Sequence, residues 1–301
     1  MTRHRKKRMV IKARPTLEGA GVHLKRAIGF SSTNIADPFL LLDHFHSDDP
    51  GDYIAGFPWH PHRGIETITY MLEGMIEHGD SMGNKGVINP GDVQWMTAGS
   101  GIIHQEMPKG SKNGSMHGFQ LWANLPAADK MMEPRYREVL SGDIPHVKEP
   151  GALIRVIAGA VGNVAGPVRD IVTDPEYLDV TVEPGVVFSR NVKPGHTVIA
   201  YVIEGDGNFG KPVNDIVEEL EKHTAGNSVD NNTGAENLII YADGDSISVK
   251  AGKNGTRFLL ISGKPINEPI AWSGPIVMNT EEELRIAFEE YENGTFLKHK
   301  A

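Results

Sequence analysis

Apolar positions along this chain come in short runs, not in long stripes. Between residue 9 and about residue 125 the runs at 39–42, 66–72 and 118–122 are β-branched or aromatic, and Gly, Pro, Asn or Asp flanks each of them. That pattern predicts strands separated by tight turns. Residues 124–134 read as a connector with a short helical turn, and residues 136–150 as an irregular, Pro-bounded junction. A second set of strand-like runs follows at 153–158, 178–182, 198–203 and 257–261. The polar, Gly/Asn-rich stretch 206–237 reads as a long mobile insertion in a loop. Near the end, Thr280 precedes three glutamates and an apolar stripe through Leu284, Ala287, Phe288 and Tyr291, closed by Asn293-Gly294. These are the N-cap, acidic first turn and Gly stop of one C-terminal helix.

The strand pattern repeats itself. Tyr70-Met71-Leu72-Glu73-Gly74 matches Tyr201-Val202-Ile203-Glu204-Gly205; Gly91-Asp92 matches Gly244-Asp245, and Ala98-Gly99 matches Ala251-Gly252. The shared order predicts a duplicated all-β domain, two antiparallel jelly-roll barrels in tandem with a short C-terminal helix. The expected division is a basic flexible tail at 1–8, a first barrel at 9–135, a linker at 136–150 and a second barrel with its helix at 151–301. The chain's 34 Gly and 19 Pro agree with short strands and turns over a helical bundle.

Composition narrows the chemistry. The chain has no Cys, which removes disulfides, thiolate nucleophiles and Cys-held metals; its 13 His, with Asp and Glu, are left as metal ligands. A net charge of −9 disfavours a nucleic-acid-coating role. No apolar run reaches membrane-spanning length, and the basic start MTRHRKKR has no apolar stretch behind it as a secretory signal would. A cytoplasmic monomer is the default expectation, with nuclear entry open in a eukaryote.

The candidate chemistry lies in two segments. His60 and His62 are two apart, so on a strand both imidazoles leave the same face, about 6.6 Å apart along the chain. His104 and Glu106 repeat the device among apolar neighbours. Three imidazoles and a carboxylate suit Fe(II), Mn(II), Ni(II), Co(II), Cu(II) or Zn(II), and four ligands leave octahedral positions open for substrate or oxygen. Glu66 has the parity of His60 and His62 and competes with Glu106 as the carboxylate. The repeat acts as an internal control: Asn191, Lys193 and Thr197 fall opposite His60, His62 and Glu66, while Arg257 and Leu259 fall opposite His104 and Glu106. One metal per chain, in the first barrel, is therefore expected. His44 and His46 are also two apart; beside Asp48 and Asp49 they read as a polar loop, with a second metal site as the lesser reading. His78 and His117 read as structural or near-site groups. Phe57, Trp59, Trp95, Met96 and Met107 are candidates for the pocket mouth or for plain core.

These residues resemble the pirin family of bicupins. The resemblance runs through Phe57-Pro58, His60-Pro61-His62-Arg63-Gly64 and Glu66-Thr67, Gly83 to Gly86, Pro90 to His104, Glu106-Met107-Pro108 and Gln120-Leu121-Trp122, and continues at 260–265 and 274–280. It implies two cupin barrels with Fe(II) only in the first, held by His60, His62, His104 and Glu106; the wider cupin pattern would use a glutamate placed like Glu66. It also implies quercetin 2,3-dioxygenase-like activity on a small planar polyphenol with O2, with Glu106 as the catalytic base. Alternatively, it implies an iron- and redox-dependent regulator that binds a transcription factor or a metabolic enzyme complex.

Overall fold

The structure is a computed structural model that describes residues 3–210 and 231–299. It is mostly strand. Most of the stretch expected as an insertion, residues 211–230, lies outside the described residues. Its edges are strand: Thr197–Asn208 pairs at Asp206 and Gly207 with Thr233–Gly234.

The chain divides into two compact units that are not contiguous in sequence. The first-barrel unit comprises Arg14–Asp143, Asp170–Thr173 and Ile266–Ala301; the other comprises Met1–Ala13, Ile144–Arg169 and Asp174–Pro265. Each terminus thus belongs to the unit built mainly by the opposite half of the chain, a division that a linear reading at 135 and 151 does not anticipate.

In the first-barrel unit a seven-stranded sheet faces a four-stranded one. The four-stranded sheet runs Phe57–His62, Ile102–Lys109, Met75–Asp80, Lys85–Ile88. Val22, Leu24, Phe45, Met71 and Met116 of the larger sheet pack against Ile76 and Ile88 of the smaller, all buried. Burying side chains of this size contributes about 1.5–3 kcal/mol each. The junction expected at 136–150 is not irregular. Arg135–Val139 pairs with Val93–Thr97 at the edge of the seven-stranded sheet, and His146–Glu149 pairs with Ala152–Ala158 in the other unit. Each half of the segment satisfies its backbone polar groups by adding an edge strand.

The C-terminal helix, Glu281–Glu292, forms as expected. Thr280 Oγ1 accepts from the Glu283 amide at 3.2 Å, and the Glu283 carboxylate accepts from the Thr280 amide at 2.9 Å, a reciprocal capping box. The helix buries Leu284 and Ala287 against Ala271, Ile276, Met278 and Phe296. Thr280→Ala is expected to cost about 1 kcal/mol, read as a lower urea midpoint with unchanged slope.

The second unit holds a nine-stranded sheet around a core that includes Ile154, Val180, Phe209, Phe258 and Leu260. Its repeat-equivalent positions carry no ligand chemistry: Arg257 is bonded to Asp179 at 3.0 and 2.7 Å, and Leu259 is buried. The expected basic tail is also corrected. Lys7–Lys12 is a strand on Asn237–Tyr241, and Arg5 is buried. Its guanidinium donates to the carbonyls of Gly244, His196 and Lys193 at 3.0, 2.8 and 2.9 Å, which compensates for burying the charge.

Candidate metal centre and cavity

Strand register brings three imidazoles together. Phe57–His62 pairs antiparallel with Ile102–Lys109, so His60 lies directly opposite His104. His62 shares a face with His60, and Glu106 with His104. The three ring centroids lie 4.3 to 5.0 Å apart, and one nitrogen from each ring lies within 4.8 Å of the others.

Hydrogen bonds aim the rings. His60 Nδ1 donates to the Pro58 carbonyl at 2.8 Å and His62 Nδ1 to the Pro275 carbonyl at 3.0 Å. Rings anchored through Nδ1 in this way turn their Nε2 atoms inward, and those two atoms are 3.1 Å apart. Two facing lone pairs repel unless a cation lies between them. Ligands at adjacent positions, each about 2.1 Å from one ion, would sit at about this separation. His104 is wholly buried, and neither of its ring nitrogens has a hydrogen-bond partner. Burial pushes the His62 and His104 pKa values well below the ordinary histidine value, and the neighbouring imidazoles push the same way. Both rings are therefore neutral, as a ligand must be. The donor set fits a divalent transition metal.

Glu106 is buried beside the triad but outside the group whose donors lie within 4.8 Å. Its Oε1 lies 3.0 Å from Thr69 Oγ1, which in turn lies 2.8 Å from Gln120 Oε1. His60, His62, Glu106 and Gln120 open on a cavity of about 640 Å³, whose other walls include Leu41, Phe45, Phe57, Met116 and Trp122. The volume and the apolar lining suit a small organic ligand oriented by a few polar groups.

Family profiles described as Pirin and as Pirin C-terminal cupin domain match residues 21–123 and 177–297. A pirin-like protein of Caulobacter vibrioides is 42% identical, over 95% of this chain and 97% of its own length. The chain belongs to the pirin family. Pirin-1 of Arabidopsis thaliana is 41% identical, over 95% of this chain and 93% of its own length. Among solved structures, a quercetin 2,3-dioxygenase from Acinetobacter baumannii superposes with a TM-score of 0.83 at 30% identity, covering 97% of this chain and 98% of that one.

Within this pirin the segment from His60 to Glu66 does three jobs. The two histidines face the cavity. Arg63 is buried; it donates to the carbonyls of Ser100 and Phe296 at 2.7 and 2.8 Å and pairs with Glu290 at 2.8 Å, tying the C-terminal helix to the barrel. Gly64, at φ +78, turns the chain into Ile65–Glu73, a strand of the other sheet. Parity does not survive that turn. Thr69 reaches Glu106, whereas Glu66, of opposite parity, lies opposite Thr97 in register and accepts its hydroxyl at 2.7 Å. Glu66 is not among the cavity-lining residues, and burial raises its pKa. Counting parity from His60 through that turn therefore misplaces Glu66.

Of the expected pocket-mouth residues, Phe57 lines the cavity, Trp59 is 53% exposed, and Trp95 and Met96 are buried in the core. Sequence reasoning missed Trp272 and Pro275, which reach the same cavity from far along the chain. The Arg26–Asp43 pair also lies in the cavity wall. Arg26 donates to both carboxylate oxygens of Asp43, at 2.8 and 2.6 Å. Burial pushes the Asp43 carboxyl up to about 6 against the pull of Arg26. Removing Arg26 leaves burial to dominate, with the folded-state pKa above the unfolded value. Stability from such a group is present at low pH and lost as pH rises through the folded value. Arg26→Ala is therefore expected to cost about 3 kcal/mol near pH 8 and clearly less near pH 5, as measured by urea unfolding at both.

Proposed function

We propose that this pirin is a dioxygenase of the quercetin 2,3-dioxygenase kind, opening a flavonol-like ring with O2 around iron(II) held by His60, His62 and His104. The observation that carries the reading is His104: a buried imidazole with both nitrogens unbonded, in a triad that opens on an apolar cavity. The Acinetobacter dioxygenase of like fold supports it.

When bound, the ion supplies Lewis acidity, which lowers the pKa of a coordinated hydroxyl and leaves it electron-rich. The protein supplies the rest. Phe57, Leu41 and Trp122 offer apolar walls against which a planar ring packs and from which water is displaced. Glu106 is the acceptor for the substrate hydroxyl proton. Thr69 has a single hydrogen to share between Glu106 and Gln120. With the Gln120 amide turned so that Nε2 donates to Thr69, Thr69 donates to Glu106 and fixes the carboxylate's free lone pairs toward the cavity. Glu106, two residues beyond His104 on the same strand and on the same cavity as His60 and His62, is both the proposed fourth ligand and the proposed base.

The test is oxygen uptake and carbon monoxide release from quercetin by the iron-loaded protein. Glu106→Gln is expected to lower turnover by about 100-fold or more, measured at iron concentrations that saturate the variant. Turnover equal to wild type in that variant would remove Glu106 from the mechanism.

A further inference from the structure

A second group of imidazoles lies on the outer face of the seven-stranded sheet. Met116, Gln120 and Trp122 of Met116–Asn124, and Leu41, Asp43 and Phe45 of Phe39–Ser47, face the cavity. The alternate residues His117, His44 and His46 therefore face away from it. His44 and His46 are on a strand, not in the polar loop expected from sequence. Register places His117 directly opposite His46 on the adjacent strand, with His44 diagonal to it. His44 Nε2 and His117 Nε2 are 2.9 Å apart, and one nitrogen from each of the three rings lies within 4.8 Å of the others.

The nitrogens cluster as closely as in the first triad, on another surface of the unit, although these rings are stacked, 9° apart in plane for His46 and His117, where the first triad's are steeply tilted. We propose that His44, His46 and His117 form a second site for a divalent transition cation of the imidazole-preferring class, Zn(II), Ni(II), Co(II) or Cu(II). The burial gradient suits an exchangeable site: His44 is buried, His117 half-buried and His46 exposed, so an ion enters from solvent and keeps open positions. A shallow cavity of about 440 Å³ on this face is lined by His44 and His46 together with His23 and Asp52, whose side chains pair at 3.2 Å. They put a further imidazole and carboxylate on the wall of that cavity. Lys25 lines the same cavity and weakens cation binding there relative to the first triad.

Because the two triads lie on different sheets and face different spaces, their occupancies are separable. Chelator-stripped protein is titrated with Zn(II) alone by calorimetry, and metal content is measured after gel filtration. Two triads predict two equivalents for wild type and one for His104→Ala. His46→Ala alters an exposed side chain and is expected to retain one equivalent; His46→Ala combined with His104→Ala retains none. His117→Phe keeps a stacking ring against His46 and removes the nitrogens, so it should reproduce His46→Ala. A single equivalent in wild type overturns the proposal. So does a second equivalent that survives both His46→Ala and His117→Phe.

Discussion

His104→Ala is expected to abolish iron binding at the first triad and leave the fold standing. Partners that merely orient a metal ligand cost about 10–100-fold in affinity when removed, so losing the ligand itself costs at least about 100-fold. His104 is the most exacting choice because it is wholly buried, opposite His60 in register and without any side-chain hydrogen bond to lose. In the metal-free protein its removal breaks no bond, so the circular dichroism spectrum should match wild type. Metal added at about 100 times its Kd stabilises wild type by about 2.7 kcal/mol through the first triad; the variant should gain nothing from that site. Iron content after anaerobic gel filtration and urea unfolding with and without Fe(II) provide the two readouts. Wild-type iron content in the variant would move the metal centre elsewhere.

Gly64→Ala is expected to be the most damaging single substitution in the site segment. Gly64 sits at φ +78, and a Cβ there would lie 1.9 Å from the Val277 carbonyl oxygen. The backbone on both sides is already engaged. The Gly64 amide donates to the Gly99 carbonyl at 2.8 Å, and its own carbonyl accepts from the Lys130 ammonium at 2.9 Å. Lys130 is buried and also bonds Asn124 and Val277, so the turn cannot shift without breaking a network. A cost above about 4 kcal/mol is expected, in the range reserved for strain and buried clashes. It should appear as loss of soluble protein or a large fall in urea midpoint. Wild-type stability would show that the turn relaxes freely and that Glu66 and Glu106 are not held on separate faces by it.

The parts of this molecule legible in sequence are those governed by local periodicity. Strand alternation placed His60 with His62 and His104 with Glu106, and the capping signal around Thr280 and Glu283 marked the helix. The illegible parts depend on long-range closure. The C-terminal segment is tied to the first-barrel unit by the Arg63 guanidinium, which meets the Phe296 carbonyl 233 residues away. Arg5 looked like tail because nothing in its neighbourhood announces the carbonyls at 193, 196 and 244 that receive it. Glu66 and Glu106 could not be ranked from the residues alone, since the deciding event is a change of sheet at Gly64. His117 joins His44 and His46 only through cross-strand register, which the spacing of a single segment does not contain.

The His60, His62 and His104 triad is the proposed seat of this pirin's chemistry. The most direct measurement is oxygen consumption with quercetin after anaerobic loading with Fe(II), wild type and His104→Ala side by side, with folding checked by circular dichroism. Iron-dependent uptake with a ring-cleavage product is expected in wild type, and none in the folded variant. Equal uptake by both proteins, or stoichiometric iron in wild type with no uptake, would contradict that proposal.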